Sequence, residues 1–125
     1  MILVDTSVWI DYLRRSEREL IRRLREGQVL MHAMIVGELA CGNLNNRHER
    51  MREWQALPQI PVLSHTDVLT AIDVCDWSGK GLGFVDVHLL ASVLRREDTS
   101  LWTRDKRLGR LAGALSIAYV ESNRE

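Results

Sequence analysis

The junction at the start of the chain constrains its fold most. Ile2-Leu3-Val4 is an apolar run that meets Asp5-Thr6-Ser7 with nothing between them. So short a run reads as a buried strand, and Asp, Thr and Ser are residue types that cap helix N-termini. The chain therefore passes from strand to helix almost at once. The pattern recurs. Val29-Leu30-Met31, Ile60-Pro61-Val62-Leu63, Leu101-Trp102-Thr103 and Ile117-Ala118-Tyr119-Val120 predict four more strands. Pro61 assigns the third of the five to a sheet edge, because proline lacks a backbone donor. Helices are predicted around 8–13, from the Ser16–Glu19 capping-box spacing to Gly27, over 32–41 and 47–57, from Thr66-Asp67 to Trp77, and over 84–96. This alternation predicts an α/β fold: a mainly parallel five-stranded sheet with helices on both faces. In such sheets ligands bind beyond the carboxyl ends of the strands, so residues just after strands are the first candidates for a site.

A chain of 125 residues fits one domain spanning 1–125 and needs neither disulfide nor structural metal to fold. Its apolar fraction of 46% and charged fraction of 27% exclude disorder. No apolar run approaches the ~18–20 residues of a membrane span, so no membrane association is expected. The opening apolar run meets Asp5 directly and predicts no secretory signal. A cytoplasmic location with Cys41 and Cys75 reduced follows as the expectation, with Cys41 a buried small apolar residue. Basic and acidic residues balance at 17 each, so net charge by itself points to no partner.

Four acids stand out by position. Asp5 follows the first strand, and Asp105 follows the fourth in Trp102-Thr103-Arg104-Asp105. Both belong at one rim of the sheet, although each alone also reads as a helix cap. Asp86 lies within the apolar stripe of its helix, with Leu90 and Val93 as i+4 and i+7 neighbours. A first-turn position suits its charge but does not account for its inward direction. Glu38 flanks the stripe made by Ile35, Leu39 and Gly42, where a solvated boundary residue is the alternative. Converging carboxylates repel by about 4 kcal/mol per close pair at an effective dielectric of 20, so such a cluster needs a cation. Hard oxygen ligands without convergent His or Cys select Mg²⁺ or Mn²⁺ over zinc. Carboxylate-held Mg²⁺ serves mostly phosphoryl transfer and phosphodiester hydrolysis.

Val4-Asp5-Thr6-Ser7, Gly37-Glu38-Leu39, Gly83-Phe84-Val85-Asp86-Val87-His88-Leu89-Leu90-Ala91 and Trp102-Thr103-Arg104-Asp105 occur in this order across essentially the whole chain. Together they resemble the motifs of PIN-domain ribonucleases, above all the VapC-type toxins of bacterial toxin–antitoxin pairs. The resemblance implies a PIN-like three-layer fold, Mg²⁺- or Mn²⁺-dependent endoribonuclease activity on RNA, inhibition by a cognate VapB-type antitoxin, and a homodimer. It implies Asp5, Glu38, Asp86 and Asp105 as catalytic carboxylates, with Asp5, Asp86 and Asp105 holding the metal. Ser7 and Thr103 match supporting hydroxyl positions, where a helix cap and a strand-end residue are the alternatives. Many relatives carry a further acid after the fourth carboxylate. Lys106-Arg107-Leu108 stand here instead, so one ion is expected. The implied chemistry is hydrolysis by a water whose pKa the ion lowers, with one carboxylate orienting it.

Arg14, Arg15, Arg18 and Arg22, with Arg23 and Arg25, crowd the first two helices. They read either as a solvated face or as a track for RNA phosphates. Trp9, Trp54, Trp77 and Trp102 suit base stacking or core, and core is the expectation for Trp9 and Trp102. Trp9, Leu13 and Leu20 are core positions that would also suit a docked partner. The four histidines show no ligand spacing, and the loop Gly79-Lys80-Gly81-Leu82-Gly83 lacks the ending of a phosphate-binding P-loop. A receiver-like signalling domain would need an adjacent acidic pair after the first strand, and an aspartyl-phosphate phosphatase an Asp at position 7; neither is present. A catalytically inactive RNA- or protein-binding module is the remaining alternative.

Overall fold

Ile2–Val4 forms β1, and both of its edges are paired. In the computed structural model, which describes residues 1–122, β1 lies between β2 (Val29–Leu30) and β3 (Ser100–Trp102), parallel to each. Leu3 stands opposite Leu30 on one side and Leu101 on the other, and Val4 opposite Trp102. Successive side chains of a strand point to opposite faces. Ile2, Leu3 and Val4 are nevertheless all buried, so the sheet is covered on both faces, as an α/β fold requires.

The expectation of five strands is corrected to three among the described residues. Both predicted outer strands occupy the expected places but make only single parallel bridges, Met31 with Gln59 and Leu101 with Ala118. On one edge, Met31 donates to the Pro58 carbonyl and Ile60 to the Met31 carbonyl. Pro61 follows with no N–H, and the ladder stops. On the other edge, Leu101 donates to Ile117 and Tyr119 to Leu101 before the chain leaves the sheet at exposed Val120.

The helices are α1 (Thr6–Arg14), α2 (Arg18–Arg25), α3 (Ala33–Ala40), α4 (Arg47–Ala56), α5 (His65–Val74), α6 (Phe84–Leu94) and α7 (Lys106–Ala114). Helix α7 is not among the helices that the sequence pattern predicts. Leu108 and Ala112, four apart on its inner face, are both fully buried. Helix α5 begins at His65, because Ser64 rather than Thr66 caps it, its hydroxyl accepting from the Asp67 N–H at 3.0 Å. The capping box expected from Ser16 and Glu19 does not form. Glu17 takes the N-cap position without a side-chain bond, and Glu19 turns instead to the Tyr119 hydroxyl and the Ser122 N–H. All four tryptophans are buried, and Leu20 is fully so, which places them in the core. Cys41, expected inside, is exposed, as is Cys75; both are free thiols. No helix among the described residues is long and apolar enough to cross a membrane.

Arg104, directly after β3 and Thr103, ties three parts of the chain together. Its guanidinium donates to Asp11 on α1 at 2.7 Å, to Glu17 before α2 at 2.8 Å, and to Glu121 in the C-terminal segment at 2.9 and 3.1 Å. These bonds, with Glu17 foremost, hold it protonated even more firmly than a free arginine. Glu121 also accepts from the Trp102 indole N–H at 2.9 Å. The planar fork serves three carboxylates at once, which a lysine cannot do. Arg104→Ala would take from three half-buried acids the guanidinium they share and is expected to destabilise the fold by about 2–4 kcal/mol in urea denaturation, with Arg104→Lys recovering only part of the loss.

Candidate active site

The site begins where β1 ends. The Asp5 N–H donates to the Trp102 carbonyl at 2.8 Å, which brings the carboxyl ends of β1 and β3 together. The Asp5 carbonyl accepts from Val8 and Trp9 and so opens α1. Its carboxylate does not cap that helix. Oδ2 accepts instead from the Ser7 hydroxyl at 2.8 Å and the Thr103 hydroxyl at 2.7 Å. Each hydroxyl is oriented in turn: Ser7 Oγ accepts from the Arg104 N–H at 3.0 Å and Thr103 Oγ1 from the Asp105 N–H at 3.1 Å. Asp5 is only 6% exposed, so two hydroxyl donors hold a buried carboxylate in one orientation.

The other three acids come from separate elements. Asp105 caps α7, its Oδ1 accepting from the Leu108 N–H at 2.9 Å. Asp86 sits in the first turn of α6, where its Oδ2 accepts from the Gly83 N–H at 3.0 Å. Its i+3, i+4 and i+7 neighbours, Leu89, Leu90 and Val93, are buried, in line with its place on the apolar stripe. Glu38 is exposed on α3 and accepts from the Thr6 hydroxyl at 2.6 Å. The cap reading is thus true of Asp105 and the first-turn reading of Asp86, while Asp5 is something else.

The four carboxylates share one electrostatic field. Burial raises the Asp86 carboxyl pKa above its ordinary value, the Gly83 N–H opposes the rise, and Asp5, Asp105 and Glu38 each push it further up. Among the described residues none of the four has a cationic partner within ion-pair distance, whereas Asp11, Glu17, Glu26 and Asp67 are all paired. Nor do three acids, histidines or cysteines among the described residues stand close enough to hold an ion as they are.

The arginine cluster is not gathered around these acids. Arg14 ends α1, eight residues or about 12 Å of helix rise from Thr6. Arg15 pairs with Glu17 and Asp11, and Arg22 with Glu26. Three features had no clear sequence signal: the Thr6 contact with Glu38, the Arg104 hub, and a buried histidine pair behind the site. His32, the N-cap of α3, accepts from the Met34 N–H at 3.0 Å, and its ring lies 6.1 Å from that of His88 on α6. Burial pushes both pKa values down, that of His32 to about 4, in a pair that joins the start of α3, which bears Glu38, to α6, which bears Asp86.

Asp86 has a consequence for stability. Its folded pKa lies above the unfolded value, so its ionisation above that pKa works against the fold. Asp86→Asn keeps an acceptor for the Gly83 N–H and removes the charge. In EDTA at pH 7 the variant is expected to be more stable than wild type by about 1 kcal/mol. The gap should close as the pH falls through the raised pKa into the ordinary carboxylate range, where wild type also takes up the proton. The difference between the two melts cancels the histidines, whose depressed pKa values cost both proteins stability as the pH falls below about 6.5.

Comparison with known proteins extends over the same ground. The family model described as "PIN domain" matches residues 2–114. A protein of Mycobacterium tuberculosis, ribonuclease VapC32, is 39% identical over 121 residues, covering 97% of this chain and 98% of its own; the sequences from strains CDC 1551 / Oshkosh and H37Rv match equally. With the strand-end acids on a parallel sheet and this match over nearly its whole length, the chain belongs to the PIN domain family.

Proposed function

We propose that this protein is a divalent-metal-dependent endoribonuclease that hydrolyses RNA phosphodiester bonds as the toxin of a VapBC-type toxin–antitoxin pair. The likeness to ribonuclease VapC32 supports the reaction class. The observation that carries the site is Asp86 at the start of α6, without a cationic partner among the described residues, its carboxyl pKa raised first by burial and then by Asp5, Asp105 and Glu38. An all-oxygen donor set with this charge fits Mg²⁺, or Mn²⁺ in its place. Asp5, Asp86 and Asp105 would hold the ion, which when bound lowers the pKa of a water and neutralises charge on the phosphate.

The chain's own groups divide the remaining work. Asp5 is the rigid member, because Ser7 and Thr103 fix its carboxylate. Asp105 has Oδ1 committed to the Leu108 N–H of its helix, so Oδ2 would be the oxygen offered to the ion. Glu38, on an exposed helix face, would orient the attacking water or take its proton, with the Thr6 hydroxyl steadying it. Arg14 and Arg18, exposed and without ion pairs among the described residues, remain available to RNA at a distance from the chemistry, as do Arg15 and Arg22 once their surface pairs exchange for phosphate.

The proposed partners follow from surface chemistry. A cognate antitoxin of the VapB type would satisfy the carboxylates with an arginine-bearing segment. Trp9 and Leu20 are committed to the core, which leaves half-buried Leu13 as the apolar contact among the three docking positions. A homodimer would cover the apolar groove between α5 and α6, lined by Ala71, Val74, Trp77, Ala91 and Leu94; Val74 is 79% exposed. These associations would take place in the cytoplasm.

Purified protein should cleave single-stranded RNA with Mg²⁺ or Mn²⁺ and not with EDTA. Asp86→Asn should lower cleavage on the order of 100-fold or more with its fold intact, since such carboxylates act as a unit. Full activity of the variant at matched metal would overturn the assignment. Expression alone should arrest growth of a bacterial host, and co-expression of the adjacent small gene should relieve the arrest. Harmless expression of active enzyme would remove the toxin role and leave the nuclease standing.

A further inference from the structure

RNA is a polyanion, and the site proposed to cut it carries four acids. Positive charge close to the carboxylates is therefore needed, yet the arginines of α1 and α2 cluster at the other end of α1. One basic residue lies between two of the carboxylate-bearing turns. Arg107 follows Asp105 by two residues, and its guanidinium lies over Gly81, two residues before the Gly83 N–H that holds Asp86.

The placement of Arg107 is costly and its charge uncommitted. It stands in the first turn of α7, where the helix dipole disfavours a cation, and Lys106 beside it adds a second. Two cations and no acid in that turn serve no purpose for the helix. Among the described residues Arg107 has no ion pair; its one polar contact is a long one, Nη1 to the Gly81 carbonyl at 3.4 Å. The loop is nonetheless shaped to receive it. A Cβ on Gly81 would lie 2.9 Å from Arg107 Cδ and 3.0 Å from Nη1, and Gly81 has φ +78°, which disfavours any larger residue. The guanidinium thus rests on a bare backbone surface beside the acids without being neutralised by them.

We propose that Arg107 is the residue that binds an RNA phosphate next to the scissile bond, exchanging its weak contact with the Gly81 carbonyl for paired hydrogen bonds to the phosphate oxygens. It positions the strand across the Asp86 and Asp105 turns and takes no part in bond breaking. The inference rests on the nuclease reading above and assigns the substrate contact which that reading leaves open.

The test uses binding as well as cleavage. In Asp86→Asn protein with Mg²⁺, a short fluorescein-labelled single-stranded RNA should bind about 10–100-fold more weakly once Arg107→Ala is added. The slope of log affinity against log salt should fall by about 0.7, the share of one phosphate contact. Arg107→Lys should restore the slope and part of the affinity. In otherwise wild-type enzyme, Arg107→Ala should raise KM with kcat within about twofold. Unchanged affinity, slope and KM would overturn the proposal. A loss of affinity equal at every salt concentration, with a lowered melting temperature, would also overturn it by making Arg107 a structural residue. RNA binding that depends on Arg107 in a wild-type protein unable to cleave would uphold this contact and overturn the nuclease reading alone.

Discussion

The rest of the structure depends on a carboxylate buried at the end of the central strand. β1 is three residues long, paired on both sides and covered on both faces, so the residue after it is nearly closed to solvent, at 6% exposed. That residue is Asp5. Its N–H and carbonyl tie β3 to the start of α1, and its carboxylate takes hydroxyl hydrogens from Ser7 and Thr103. Hydrogen bonds to a charged group contribute about 1.5–3 kcal/mol each and offset much of the cost of burial. They leave the negative charge itself uncompensated, which an incoming cation can answer.

Charge is segregated around this point. Arg104 is next to Thr103, and its backbone N–H donates to Ser7, within the same hydrogen-bond chain as Asp5. Its side chain nonetheless turns away and gathers Asp11, Glu17 and Glu121. The strongest cation of the region is thereby spent on holding α1, the approach to α2 and the C-terminal segment together. Arg107 likewise rests on a backbone carbonyl and not on a carboxylate. Among the described residues the four acids have no ion pair, and Asp86 shows the cost: burial raises its carboxyl pKa and the other three acids raise it further. Stability withheld at one site and supplied by a hub beside it is a recurrent relation between fold and function.

Where the sequence pattern and the structure part, the reason is local in each case. The outer strands lie where alternation put them, but Pro58 and Pro61 limit one edge and the chain leaves the sheet after Tyr119 on the other. Helix α7 escaped notice because its polar start, Lys106-Arg107, follows an acid that already had a role as a strand-end residue. The capping box of Ser16 and Glu19 lost to a stronger offer: Tyr119 and Ser122, a hundred positions away in the chain, supply donors that an isolated helix turn does not have. Thr6, adjacent to Asp5, was passed over because its partner Glu38 lies on a different helix.

The sequence by itself determined the alternation of strands and helices as far as β3, the parallel class of the sheet and the four acids. Each of these follows from short-range pattern: apolar runs, polar breaks, and a carboxylate on an apolar helix face. Tertiary structure alone decided what each of those acids is bonded to. Whether a strand-end aspartate caps a helix, as Asp105 does, or forgoes the cap for two hydroxyls, as Asp5 does, turns on Thr103, 98 positions away. The partition of the arginines was equally hidden, since Arg104 and Arg107 flank Asp105 in sequence and point to unrelated parts of the fold. Electrostatic interaction depends on distance through space, and only the closed sheet sets those distances.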